Sequence, residues 1–298
     1  GFTNFPLVLR GPMRHPKPKT TRCNLTFVIA LSIAGLTYGI TLTAQQGGRQ
    51  PRINKVIEAL ENGRPAIANQ EWRFIDMEHG PFSAERLGSI LAEMHGERDA
   101  RGQLDLAPLV RIPQEGDEDF KWAIKQVLDI GALGVILPHV DTKDEAMRFV
   151  RAMRYPPRRN AQQPEPRGER GWGPGRATRL WGLSNSTEYH NLADVWPLNP
   201  SGELFAVAII ESAEAVRNIT EILEAPLSAI MVVPGDMSLD MGLGPPGNEN
   251  YPEIDAAYQT VLTACLAQTT VICGCGDSRS RMQMRFDEGW RFFLPIGN

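Results

Sequence analysis

Cysteine is scarce: four residues, Cys23, Cys265, Cys273 and Cys275, in a chain of 298. That is too few for a disulfide framework, and Cys273-Gly-Cys275 has no second pair to complete a zinc site. The expectation is four reduced thiols, with Cys273 ending a buried strand. An excess of positive charge is also lacking, since 31 Lys and Arg stand against 35 Asp and Glu, a formal net charge of −4. The arginine-rich stretches from Arg10 to Arg22 and from Arg154 to Arg179 carry no interleaved aromatic platform, so nucleic acid is not an expected partner. No internal repeat and no H-E-x-x-H pattern occur.

What is present suits a globular α/β protein: 42% hydrophobic and 22% charged residues, with enough length for one large domain. The first 50 residues stand apart. Arg10, Arg14, Lys17, Lys19 and Arg22 precede Leu25 to Ala44, a stretch without charge. This is the pattern of a membrane anchor or a cleaved targeting sequence, although Thr and Ser dilute its hydrophobicity; a foreign or misassigned N-terminus is the third reading. An anchor would put the following domain in a lumen and make Asn24, Asn185 and Asn218, each in an N-x-T context, glycosylation acceptors. The division expected is an extension over 1–50, with candidate membrane contact through 25–44, and a catalytic domain over 51–298.

Beyond residue 50, short apolar runs alternate with amphipathic stretches. The strand candidates are Pro65 to Ala68, Arg73 to Asp76, Pro108 to Ile112, Gly134 to Pro138, Phe205 to Ile210, Ala229 to Val233, Thr270 to Cys273 and Arg291 to Pro295. Eight strands with helices between them predict a (β/α)8 TIM barrel. Helical spacing is clear at Phe120, Ile124, Val127 and Leu128, stopped by Gly131, and a second helix runs from Asp141 or Thr142 to before Tyr155-Pro-Pro157. From Arg158 to Trp181, Gly, Pro and Arg dominate and no period emerges, which predicts a long loop at the catalytic face. Only four residues separate the first two strands, so the first helix of the barrel is lacking.

Chemistry gathers where strands end. Glu211 follows Phe205 to Ile210, and Asp236 follows Ala229 to Val233 and then Pro234-Gly235, one helix-length later. A right-handed βαβ crossover puts both strand ends on one edge, so the two carboxylates converge as a divalent-metal site. Asp76, Glu78 and His79 end another strand. Arg111 ends the next, where it needs a carboxylate partner, from a neighbouring side chain or from substrate. Asp129 sits at a helix C-terminus, a poor place for an acid unless it is hydrogen-bonded, for instance to His79.

These segments together resemble the HpcH/HpaI aldolase/citrate lyase superfamily, the metal-dependent class II pyruvate aldolases. The matching stretches are Ile75-Asp-Met-Glu-His-Gly-Pro81, Val110-Arg-Ile-Pro113, Ile124-Lys-Gln-Val-Leu-Asp-Ile-Gly131, Arg154-Tyr-Pro-Pro157, Ile210-Glu211 and Pro234-Gly-Asp-Met-Ser238, in family order over 65–296. The resemblance implies a phosphoenolpyruvate/pyruvate-type barrel. In it, Glu211 and Asp236 would hold Mg2+, or Mn2+ or Co2+, and Arg111 and Gly235 would contact a small 2-oxo acid. His79 would act as base, Asp129 would orient it, and Asp76 would be a supporting carboxylate. It also implies a cytoplasmic homo-hexamer or other homo-oligomer. The expected reaction is reversible retro-aldol cleavage of a 4-hydroxy-2-oxo acid to pyruvate and an aldehyde. The alternatives are a macrophomate synthase-like branch, which decarboxylates oxaloacetate and adds the enolate to an acceptor, and an inactive barrel. For the former, Trp172, Trp181, Tyr189 and Trp196 would shape an aromatic acceptor pocket. For the latter, the missing first helix counts, as does the end of the chain at Asn298, where the family continues into a last helix.

Overall fold

In the computed structural model, residues 51–113, 119–245 and 251–297 are described. The apolar stretch 25–44 lies outside them, and among the described residues no helix is long and apolar enough to cross a membrane.

The chain runs α1 (Lys55–Glu61), β1 (Ala66–Ile67), β2 (Trp72–Asp76), α2 (Ala84–Gly96), β3 (Ala107–Arg111), α3 (Lys121–Ile130), β4 (Gly134–Leu137), α4 (Lys143–Met153), α5 (Gly175–Leu180), α6 (Ser186–Leu192) and β5 (Val195–Trp196). It continues through β6 (Leu204–Ile210), α7 (Ala213–Arg217), α8 (Ile219–Ile222), β7 (Ala229–Val232), α9 (Pro234–Asp240), α10 (Pro252–Leu266), β8 (Ile272–Asp277), α11 (Met282–Glu288) and β9 (Phe292–Pro295). The sheet order is β1-β9-β8-β7-β6-β4-β3-β2, every pairing is parallel, and β5 adds to β6 outside this path. All eight expected strands are therefore in the wall of a nearly closed (β/α)8 barrel. Strands β4, β6 and β7 are apolar throughout and buried at every residue, as strands covered on both faces must be.

Local signals start the helices on which the catalytic rim depends. Ser83 accepts the Arg86 N–H to cap α2, and Thr142 with Glu145 forms a capping box on α4. Between β1 and β2 no helix intervenes, and the two meet only at one parallel bridge, Ala68 to Trp72. The opposite, N-terminal rim is stoppered by the start of α1. Buried Asn54 donates to the carbonyls of Leu133 (3.1 Å) and Glu203 (3.0 Å), and Arg52 pairs with Glu61 (2.6 Å) and Glu203 (3.1 Å). Every polar group taken from water there is answered by another.

Three expectations need correction. Cys265 and Cys273 form a disulfide, leaving Cys275 buried as a thiol among the described residues. The turn from α10 into β8 returns the chain so closely that the two Cα atoms lie 5.9 Å apart, inside bridging range. Strand β8 does not stop at Cys273 but runs on to Asp277. Its glycines are there for close packing, since a Cβ on Gly274 would meet the Ile230 carbonyl at 2.6 Å. Finally, the stretch from Arg158 onward is not a loop of the catalytic rim. It connects the end of α4 to the start of β6, and it carries α5, α6 and β5. Its contacts are with helix C-termini: Glu169 N–H to the Arg151 carbonyl, Arg170 to Asp129, and the Trp181 indole to the Gly131 carbonyl. Helices return from the catalytic rim, so their C-terminal ends lie at the other one. Trp181, Tyr189 and Trp196 are buried, and Trp172, 58% exposed, packs against Tyr155 and His190, so these four rings form no aromatic pocket at the mouth among the described residues.

Candidate active site

Strand register sets the site. Asp76 and Arg111 are direct partners across β2 and β3, at the C-terminal ends of both strands. Arg111 reaches Asp76 through Nε (3.1 Å) and Nη2 (2.6 Å), and Glu78 through Nη1 (2.8 Å), while Nη2 lies 2.5 Å from His79 Nδ1. The Asp76 carboxylate also accepts the Glu78 N–H at 3.0 Å, closing the turn that follows β2. Burial alone would raise the Asp76 pKa, but the Arg111 guanidinium and these N–H donors hold it below the ordinary value. Glu78 goes the other way: burial raises it and outweighs Arg111. His79 is mostly exposed, its Nδ1 3.2 Å from Asp76 and 3.3 Å from Glu78.

Around the rim, directly after β6, Glu211 is only 2% exposed. Ligand-type atoms of Glu211, Asp236 and His139 all lie within 4.8 Å of one another. The expected convergence of the two carboxylates is therefore present. Asp236 is in the first turn of α9 beside Gly235, whose Cα has open space around it and leaves room for a ligand to approach the backbone. Glu211 Oε1 accepts the backbone N–H of His139 at 2.8 Å, and His139 Nδ1 stands 3.6 Å from the same oxygen. Among the described residues no Lys or Arg pairs with Glu211 or Asp236. Burial first, and then repulsion from Asp236 and Glu78, pushes the Glu211 pKa up to about 7 against the opposing influence of His139 and its backbone N–H.

Such a donor set suits a cation: two carboxylates, one of them buried, with an imidazole beside them and no Lys or Arg partner among the described residues. Sequence reasoning overlooked His139. It directly follows the apolar strand β4 and Pro138, which is the strand-end position that singled out Glu211, so the signal was available. Asp129 is placed elsewhere. It closes α3 at the far rim, bonded to Lys125 and, at 2.8 Å, to Arg170, and no bond joins it to His79 among the described residues.

A 4-hydroxy-2-oxo-heptane-1,7-dioate aldolase of Klebsiella pneumoniae is 26% identical over 263 residues, 82% of this chain and 87% of the relative. A 2-keto-3-deoxy-L-rhamnonate aldolase of Escherichia coli is 32% identical over 198 residues, 65% of this chain and 62% of the relative. Among solved structures, an HpcH/HpaI aldolase from Desulfitobacterium hafniense superposes with a TM-score of 0.65 at 23% identity, covering 82% of this chain and 90% of that one, a likeness of fold. Macrophomate synthase superposes with a TM-score of 0.58 at 25% identity, covering 76% and 70%. The family model described as HpcH/HpaI aldolase/citrate lyase matches residues 63–282, from before β1 to the start of α11. With that match spanning nearly the whole barrel, the chain belongs to the HpcH/HpaI aldolase/citrate lyase family of lyases.

Proposed function

We propose that this barrel catalyses reversible retro-aldol cleavage of a 4-hydroxy-2-oxo acid to pyruvate and an aldehyde, with a divalent ion held by Glu211 and Asp236. The observation that carries the reading is the convergence of these two carboxylates without a cationic side chain among the described residues. When bound, such an ion, Mg2+ or alternatively Mn2+ or Co2+, supplies positive charge toward the oxygens of a 2-oxo acid and toward a developing enolate.

The residues of the chain do the rest. His79 takes the proton of the C4 hydroxyl, the C3–C4 bond breaks to leave an aldehyde, and its electron pair moves toward the C2 carbonyl. Arg111 stabilises the resulting enolate oxygen. Asp76 and Glu78 hold the guanidinium in place from β2 and the turn after it. His79 then returns the proton to C3, giving pyruvate, so no atom is unaccounted for. Gly235 leaves the rim open where the substrate carboxylate approaches.

The test is pyruvate release from 4-hydroxy-2-oxo acids, read through a coupled lactate dehydrogenase, with and without chelator. Release that continues in the Glu211→Gln variant would end the metal assignment. A second reading rests on the likeness to macrophomate synthase: decarboxylation of oxaloacetate to the same enolate, then addition to an acceptor. Metal-dependent CO2 release that outpaces cleavage of every hydroxy-oxo acid would favour it. The resemblance also carries a homo-hexamer or other homo-oligomer, checked by sedimentation velocity, and a cytoplasmic setting.

A further inference from the structure

We propose that His139 is a third ligand of the ion held by Glu211 and Asp236, and that it biases this site toward Co2+ and Mn2+ over Mg2+. The inference rests on the metal reading of the proposed function and adds to it a residue and a preference.

Three observations carry it. The ligand atoms of His139, Glu211 and Asp236 fall within one 4.8 Å envelope. Donors bound to one ion at about 2.0–2.2 Å stand no more than about 4.4 Å apart, so a side-chain adjustment of a few tenths of an ångström closes the set. Second, the His139 backbone N–H already occupies Glu211 Oε1, which fixes the residue against the buried carboxylate, while its ring, 31% exposed, stands beside the same oxygen without an Asp or Glu salt partner other than Glu211 among the described residues. Third, neither carboxylate has a Lys or Arg partner there, so no cationic side chain among the described residues competes with an ion for them. Imidazole nitrogen is a good ligand for first-row transition ions and a poor one for Mg2+, which prefers oxygen. Adding a nitrogen donor to two carboxylates widens that difference.

The experiment uses the full chain. Equilibrium dialysis against CoCl2 and MgCl2 compares the parent with His139→Gly, a substitution that keeps the backbone N–H and suits the positive φ of 51° at this position. Loss of the ring is expected to weaken Co2+ binding about tenfold or more, within the range by which supporting ligands act on metal affinity, and to change Mg2+ binding by less than about twofold. Equal weakening of both ions, or of neither, overturns the proposal. Electron spin-echo modulation of the Mn2+-loaded parent needs no variant and covers the case in which His139→Gly does not fold: coupling to a histidine 14N supports the proposal, and a Mn2+ signal without it overturns it. Glu211→Gln separates the two layers. If that variant binds Co2+ as the parent does, the site itself is elsewhere and both readings fall; if it loses Co2+ while the parent shows no nitrogen coupling, only the role of His139 falls.

Discussion

The mouth of the barrel holds two acidic groups that differ in one respect. Asp76 and Glu78 share a guanidinium, so their charge is largely answered from within the protein. Glu211 and Asp236 have no such cation among the described residues, and the more buried of the two, Glu211, has its pKa raised to about 7. An internally neutralised cluster positions groups; an unanswered one waits for charge from outside. Composition would rank the two alike, and what separates them is the register that sets Arg111 directly beside Asp76.

The largest effect that would break this distinction is on turnover. Glu211→Gln is expected to lower metal-dependent pyruvate formation about a thousandfold, the several kcal/mol an ion contributes at a developing oxyanion, whereas Asp76→Asn should leave metal affinity intact in dialysis and reduce the rate less. A second variant inverts the comparison. Arg111→Met removes the cation that neutralises Asp76 and Glu78, and is expected to slow turnover about a hundredfold while raising Mn2+ bound per chain from one ion to two, counted by dialysis. One ion in both proteins would show that the arginine is not what keeps the first cluster closed to metal.

Asp129→Asn tests a residue whose partners differ from those expected. It leaves Arg170 buried with a weaker partner, a loss of about 3–5 kcal/mol for a broken buried pair, read by urea unfolding. If Asp129 instead serves His79, stability holds and the pH–rate profile moves.

The smallest effect is in pH dependence, and it has opposite signs at Glu211 and Asp76. In the metal-free protein, burial pushes the Glu211 pKa up to about 7 in the folded state, while the unfolded chain releases that proton near the ordinary glutamate value of 4.5. Between these values the folded state binds more protons, so stability falls as pH rises. Asp76, held below its ordinary value, contributes stability above its unfolded pKa that is lost as pH falls through the lower folded one. Thermal melts of apo and Mg2+-loaded protein across pH 5–8 should show the decline in the first and a flatter curve in the second; parallel curves would remove Glu211 from the ion's surroundings.

The barrel was legible because its strands are buried on both faces and so read as unbroken apolar runs, and the strand-end rule found Glu211, Asp236, Asp76 and Arg111. What escaped depended on distance in the fold. The partner of Asp129 is Arg170, forty-one positions away on a segment without period. The disulfide between Cys265 and Cys273 requires a helix end and a strand start to meet, which spacing alone does not specify. The stretch after Arg158 was assigned to the wrong rim because its composition says loop but not between which ends. His139 was a lone histidine until the fold stood it beside Glu211.

Because β1 and β2 touch at a single bridge, the wall has two sheet edges where a fully closed barrel has none. On the β2 side, the edge of the backbone from Arg73 to Asp76 that faces away from β3 has no neighbouring strand among the described residues, and such an edge invites pairing with another chain. Charged Arg73 and Asp76 along it oppose that, as charge does on exposed edges generally. Replacing Arg73 with valine would therefore matter for self-association well before it mattered for folding.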